Sequence, residues 1–427
     1  MLNHSVQIVK TKCSRFGAAL RRDWCCAFAA VLALTAIVPQ TVMGQTPPLA
    51  WDQVQYFQYN IVNVSYAAPT VTVVFSVTNP QDGNKTYDIK THAAFKSPAT
   101  LRVDVAWNAG NWETAELVNS KDSPFALFNR ILPTPTTPQW TTTAPASAVA
   151  VNALTAAVAN GDGTYSIKST LPVAASGAGR VGIEGHPSTA TGVSIPVKSI
   201  YQDFVISGTM ASRRDVVDIN KCKGCHDDKQ HGDTIVPRLS LHGANRNEEP
   251  GVCVMCHNPN NTDAAYRTSG AEESIDFKRM IHGIHAGRMR KNPLIVIGRN
   301  GSVNDYSHVR FPAELRNCVK CHIDVNRKGT FELPLVTKLG STISTGSFLG
   351  SNQIDINPAN DLKISPIAAT CSGCHDDSET KQHMIQMGAM FGVAQSVLEG
   401  KEQCVNCHGP GKFRDVRKEH DIASATR

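Results

Sequence analysis

The sequence predicts a multidomain protein: an all-β N-terminal part, a sandwich or small barrel, followed by a loop-rich, partly helical part. Three observations predict it. Residues 46–215 hold β-branched runs of strand length broken by turn signals. From about Arg213 onward periodicity fades and Gly, Asn and Asp become frequent. All five Cys-x-x-Cys-His pentapeptides fall in that second stretch, and none in the first.

In order, residues 1–44 read as a secretory signal. They offer a basic start, an apolar run from Ala27 to Val38 that is too short to cross a bilayer, and Val42-Met43-Gly44 before Gln45 as a cleavage site. The formal net charge of +6 falls close to neutral without them, since they take five basic side chains and one acidic one. That leaves no basic excess of the kind a nucleic-acid-binding face needs. Of 13 cysteines, Cys13, Cys25 and Cys26 lie in this signal and the other ten in the pentapeptides, so the mature chain has no spare thiol. No transmembrane span is expected in the mature chain.

Residues 45–215 form the expected β domain. Thr70–Thr78 is a β-branched run ending at Asn79-Pro80, and Asp82-Gly83 is a turn. Leu101, Val103, Val105 and Trp107 alternate with mostly polar residues, the period of a half-buried strand. Gly161-Asp162-Gly163 turns the chain into Tyr165 and Ile167, and further β-rich runs lie at Val181–Ile183, Val193–Val197 and Phe204–Ile206. Pro133–Pro145 reads as a loop, and a short Ala-rich helix is expected at Ala146–Val158.

Residues 216–427 carry the chemistry. The motifs are Cys222-Lys-Gly-Cys225-His226, Cys253-Val-Met-Cys256-His257, Cys318-Val-Lys-Cys321-His322, Cys371-Ser-Gly-Cys374-His375 and Cys404-Val-Asn-Cys407-His408. Each reads as a c-type haem attachment site. Two intervening residues let one turn of chain present both sulfurs to the vinyl edge of a porphyrin, and the adjacent histidine becomes the proximal iron ligand. Zinc ribbons pair two Cys-x-x-Cys units without requiring a histidine after each, so five such motifs behind a signal point to five covalent haems c. Helices are expected at Ser274–Ala286, with Gly287 as the stop, and at His383–Met390; Gly340–Asp361 reads as a long polar loop.

Nine histidines remain outside the signal and the motifs: His92, His186, His231, His242, His282, His285, His308, His383 and His420. Five hexacoordinate irons need five distal ligands, and seven of the nine lie in the haem part. His282 and His285 sit three apart on the expected helix, each serving a different iron. His383 and His420 follow the fourth and fifth motifs. His231 and His242 compete for one role, His308 is a weaker candidate, and His92 and His186 are read as ordinary β-domain residues. Met280, Met384, Met387 and Met390 are read as packing residues rather than ligands.

These stretches resemble the outer-membrane multihaem cytochromes of the OmcA/MtrC type. The likeness is carried by Leu241-His242-Gly243 ahead of the second motif, Phe277-Lys-Arg-Met-Ile-His282-Gly-Ile-His285-Ala-Gly287, Phe311-Pro312 leading to Asn317-Cys318, Ile364-Ser365-Pro366 before Cys371, His383-Met384 and the late His420. Pro69–Pro80 and Gly161–Ile167 resemble the family's β domain. The resemblance implies a Greek-key split barrel, a pentahaem domain with closely packed macrocycles, and His242, His282, His285, His383 and His420 as distal ligands. Larger members carry two domains of each kind, this chain one of each. No lipobox follows the signal, so cell-surface or outer-membrane placement, release outside the cell and periplasmic residence all stay open.

The expected function is electron transfer rather than enzymatic turnover. Haems pass electrons to a redox partner: another cytochrome, a porin–cytochrome complex, a flavin or a metal oxide, the last of which would be an extracellular metal reductase activity. The alternatives are a multihaem reductase of a small oxyanion such as nitrite, which needs an open iron, and a subunit of a haem-stacked filament.

Overall fold

Two antiparallel sheets share the main apolar core. The computed structural model describes residues 50–108, 148–171, 175–208, 215–226, 229–231, 234–236, 239–259, 261–263, 266–267, 272–298, 301–326, 328–333, 341–345, 362–394 and 402–422. The signal, Cys13, Cys25, Cys26, the Pro133–Pro145 loop and most of Gly340–Asp361 lie outside them. The described residues of Pro47–Arg427 cluster as one unit.

The first sheet contains β1 (Gln58–Ala67), β2 (Thr70–Asn79), β3 (Lys85–Thr86), β6 (Val158–Ala159) and β7 (Tyr165–Thr170) in the order β1-β2-β7-β6, with β3 also on β2. The second contains β4 (Thr100–Asn108), β5 (Ala148–Asn152), β8 (Ser176–His186) and β9 (Ile200–Val205) in the order β5-β4-β8-β9. The alternation read in the sequence has its expected consequence. Leu101, Val103, Val105 and Trp107 are buried, and they meet Val71, Val73, Phe75 and Val77 from the first sheet and Val181, Ile183 and Phe204 from their own. Side chains of this size contribute about 1.5–3 kcal/mol each when fully buried.

Three expectations are corrected here. Ala146–Val158 is not one helix: Ala148–Asn152 pairs with β4, and only Ala153–Ala156 (α1) is helical, capped where Asn152 Oδ1 accepts from Leu154 N at 3.0 Å. Its alanines favour helix, but Ala-Val alternation beside an open sheet edge makes pairing the better bargain. Val193–Val197 is not a strand, although Ile195 and Val197 are buried; it contributes a single bridge, Ser188 to Ser194. Inside the polar loop, Thr342–Thr345 forms a three-stranded sheet with Leu362–Ile364 and Phe391–Ala394.

The haem part is built of short pieces: α2 (Ile219–Lys223), α3 (Pro250–Cys256), α4 (Phe277–Ala286), α5 (Pro366–Cys371), α6 (Ser378–Gln386), α7 (Cys404–His408) and α8 (Val416–Glu419). α4 stops at Gly287, where φ is +34° and an added Cβ would lie 2.4 Å from Val309 O. α6 begins earlier and ends sooner than expected. Asp377 caps it by accepting from Thr380 N at 2.8 Å, and Gly388 (φ +87°) turns the chain away.

The two parts are in direct contact. The outward face of β8 and β9 receives α3: Val252 and Met255 are buried against Ala106, Ala178 and Tyr201. A Cβ on Gly251 would lie 2.1 Å from the Tyr201 ring, so only glycine lets the helix approach this closely. Arg180, 2% exposed, spans the junction by pairing with Asp203 and donating to Gly251 O at 2.9 Å.

Candidate haem sites

Each motif folds locally into the turn its chemistry needs. The histidine N–H donates to the carbonyl of the first cysteine at 3.0 Å in the first motif, 2.8 Å in the second, and 2.9 Å in the third and fourth. One helical turn therefore brings both sulfurs and the imidazole to the same side. Caps fix where the turns begin: Asp218 accepts from Asn220 N for α2, and Glu249 from Gly251 N for α3, with Pro250 at the first helical position. The third motif is a single 3-10 turn at Cys318–Lys320, and Cys404–His408 is itself α7. All ten cysteines are free of disulfides.

The five motif histidines each face one partner imidazole. Ring centres lie 6.0 Å apart for His226–His285, His257–His242 and His322–His282, 6.1 Å for His375–His420, and 6.2 Å for His408–His383. Two imidazoles on opposite sides of one metal ion, each nitrogen about 2 Å away, put ring centres about 6 Å apart. No group of three or more metal-binding side chains occurs among the described residues. Five imidazole pairs at this spacing, each with one ring beside a Cys-x-x-Cys, are a donor set that would hold an iron whose remaining ligands come from a porphyrin. The residues present therefore fit haem.

The surroundings prepare these rings as ligands. Burial holds His257 and His282 down to about 4. A neutral imidazole is the form that binds a metal. Ring orientation is set through Nδ1, leaving Nε2 for iron: His257 Nδ1 lies 3.0 Å from Ile275 O, while His285, His408 and His420 lie 2.9 Å from Ile281 O, Arg414 O and Val416 O. His322 differs in facing a hydroxyl, Thr330 Oγ1, at 3.3 Å.

A cavity of about 1180 Å³ runs through the haem part. Four of the five motif histidines and four of the five partners line it; His226 and His242 do not. The motifs also touch one another. Lys221 Nζ, in the first motif's helix, donates to His322 O at 2.6 Å, and Asp218 N donates to Cys321 O at 2.9 Å. Cys374 Sγ reaches His282 O at 3.8 Å. Glu402, just before the fifth motif, accepts from Ile367 N at 2.7 Å and Ala368 N at 2.8 Å at the start of α5, which carries Cys371.

Of the weaker candidates, His308 is exposed and the side chain of His231 lies outside the described residues. His92 caps a 3-10 turn by accepting from Ala94 N, and buried His186 contacts Pro187 O, both structural uses. Met384 packs in the small core under α5 and α6, as expected.

Comparison with known proteins now bears on this geometry. Residues 214–421 match the family model of outer membrane cytochrome MtrC/MtrF-like proteins, domains II/IV. Residues 214–421 thereby read as a domain of the MtrC/OmcA type of multihaem cytochrome. It is 25% identical over 219 residues to the multiheme cytochrome MtrC of Shewanella baltica (strain OS185), covering 48% of this chain and 26% of the relative. The crystal structure of MtrC from Shewanella baltica OS185 is similar in fold, with a TM-score of 0.50 at 16% identity over 84% of this chain and 52% of that one. The outer membrane decaheme cytochrome OmcA aligns with a TM-score of 0.49 at 20% identity, over 87% of this chain and 49% of that one. The chain thus spans about a quarter of the curated relative and about half of each solved chain. The relatives' titles name multihaem cytochromes; the pairing of histidines is read from this chain's own geometry.

Sequence reasoning passed over several residues around these sites. Arg180, Glu402 and Thr330 carry no motif. Asp104 and Glu184 occupy outward strand positions, which ordinarily read as a solvated face.

Proposed function

We propose that the chain carries electrons through five covalent haems c, each ligated by two histidines. The observation that carries this reading is the set of five imidazole pairs 6.0–6.2 Å apart. Cys222, Cys225, Cys253, Cys256, Cys318, Cys321, Cys371, Cys374, Cys404 and Cys407 would hold the macrocycles. His226 with His285, His257 with His242, His322 with His282, His375 with His420, and His408 with His383 would hold the irons. Two histidines holding each iron would leave it closed to substrate and limit rearrangement between oxidation states, which suits a conduit better than a reductase.

The contacts between motifs support an order. The first and third haems would be neighbours through Lys221–His322 and Asp218–Cys321, the third and fourth through His282 and Cys374, and the fourth and fifth through Glu402. The second hangs on α3 against the β part. We take residues 1–44 as the signal, 45–215 as a Greek-key split barrel that docks partners, and 216–427 as the pentahaem domain. The relatives' outer-membrane titles favour the cell surface, with another cytochrome or a porin–cytochrome complex as donor and a flavin or metal oxide as acceptor. No helix among the described residues is long and apolar enough to cross a membrane.

Electron paramagnetic resonance of the oxidised holoprotein, beside a pyridine haemochrome assay, tests the core of this. Five haems per chain and only low-spin signals are expected. Fewer than five haems, or a stoichiometric high-spin iron, would overturn it.

A further inference from the structure

The β part carries a constellation of its own. Arg102 and Asp104 on β4 and Glu184 on β8 lie on the face of the second sheet that turns away from the core. Arg102 sits opposite Glu184 and Asp104 opposite Gly182, so the two acids are diagonal neighbours. The segment around the second motif covers this face: Gly185 N donates to Asn245 O at 2.8 Å, and Arg246–Asn247 (paired with Ser240–Leu241) packs above. Asp104 is 3% exposed and Glu184 0%.

Two buried carboxyl groups here lie beside one half-buried cation, Arg246. Arg246 Nη2 donates to Glu184 Oε1 at 2.9 Å, and its Nε pairs with Oε2. Arg102, half exposed, stands 3.8 Å from Oε1 and marks the solvent edge. Asp104 Oδ1 has no hydrogen-bond partner among the described residues. Two carboxylates on diagonal positions of a buried face repel each other when both are ionised, so the pair's affinity for a first proton is raised. Burial, then the Glu184 charge, lifts Asp104 well above the carboxylate range. The other groups facing the cluster are Cys253 and Cys256 on α3, which feel its charges, Tyr59 from β1, and His242 and His257 beyond Arg246. The cluster therefore lies within electrostatic reach of the second haem's attachment site.

We propose that the Asp104–Glu184 pair is a redox-linked proton site for the haem held by Cys253, Cys256 and His257. This rests on the haem occupancy proposed above. An electron reaching that haem comes from the redox partner. Its added negative charge, in a poorly screened interior, raises the proton affinity of the pair. Asp104 then takes one proton from solvent on a carboxylate oxygen, and oxidation releases both electron and proton. The driving force at this haem consequently depends on pH through Asp104, a property the other four haems do not draw from this pair.

The test is a spectroelectrochemical titration of the holoprotein at a series of pH values, with infrared redox-difference spectra. One of the five couples should fall as pH rises, approaching a tenfold change in its equilibrium constant per pH unit, or about 59 mV for one electron. A protonated-carboxyl C=O band should appear on reduction. Asp104→Asn, neutral and close in shape, should flatten the pH dependence near the wild-type low-pH value and remove the band. Five pH-independent couples with no carboxyl band, or a pH dependence that survives Asp104→Asn, would overturn the proposal. If the variant does not fold, presence or absence of the band in wild type decides. A low haem count or high-spin iron would instead defeat the haem assignment, so the two failures are separable.

Discussion

Arg180→Met probes the junction that joins the β part to the second motif. Nε and Nη2 of Arg180 donate to the two Asp203 oxygens at 2.6 and 3.1 Å, Nη1 donates to Gly251 O at 2.9 Å, and the guanidinium lies 3.8 Å from the Tyr201 ring centre. The side chains of Arg180 and Asp203 are 2% and 9% exposed. Methionine keeps much of the stem's volume but leaves Asp203 buried without its cation, which costs about 3–5 kcal/mol. The lost hydrogen bond and cation–π contact, about 1 kcal/mol each, overlap with that figure rather than adding to it. Guanidinium unfolding of the holoprotein, followed by far-ultraviolet circular dichroism, measures the loss. Arg180→Met/Asp203→Leu removes both charges and should recover at least half of it. A single-variant loss below about 1 kcal/mol, the size of an ordinary surface change, would refute the reasoning. So would a double variant no more stable than the single.

Four further outcomes are expected. His282→Ala should convert one iron in five to high spin in electron paramagnetic resonance, whereas His308→Ala, at an exposed position, should leave the spectrum unchanged. Glu402→Ala removes the acceptor for Ile367 N, Ala368 N and Ser365 Oγ, and should cost about 1–3 kcal/mol in denaturant melts. Asp88 is held down to about 2 by hydrogen bonds from the Thr91 and Tyr165 hydroxyls and Lys90 N; since its unfolded value is about 3.9, its stabilisation is present above about pH 4 and lost as pH falls toward 2. An acid-unfolding curve of Asp88→Asn should accordingly run shallower than wild type between those values. A haem-free fragment of residues 216–427 should show no cooperative melt by circular dichroism.

Much of the haem part was legible because its chemistry demands fixed spacing. Cys-x-x-Cys-His is a covalent requirement, and His282 and His285 share a helix whose stop the sequence marks at Gly287. What could not be read was which distal histidine serves which motif. That depends on how α4 crosses the chain: His285 turns to His226, and His282 to His322, the motif beyond it. Propensity misled at Ala148–Asn152, where a free sheet edge outweighed alanine's helical preference. Strand alternation placed the core side of β4 correctly and hid its other side. Arg102 and Asp104 read as solvated only because the cover comes from residues 244–256, far away in sequence.

The distribution of apolar residues explains why that cover matters. Among the described residues most buried hydrophobic side chains belong to the β part, whereas the separate cluster within the haem part is Ile364, Ala368, Ala369, Met384 and Ala389. Five side chains, three of them alanine, cannot offset the ordering entropy of a segment this long. The macrocycles must supply the missing apolar surface. The second motif is the exception, because α3 buries Val252 and Met255 on a sheet that has its own apolar core. It is therefore the motif whose geometry the β part can impose before the cofactors are attached. It is also the one whose charge environment, through Arg246, Glu184 and Asp104, the β part sets. Anchoring and tuning come from the same sheet face, so substitutions on the outward side of β4 and β8 should act on one haem more than on the other four.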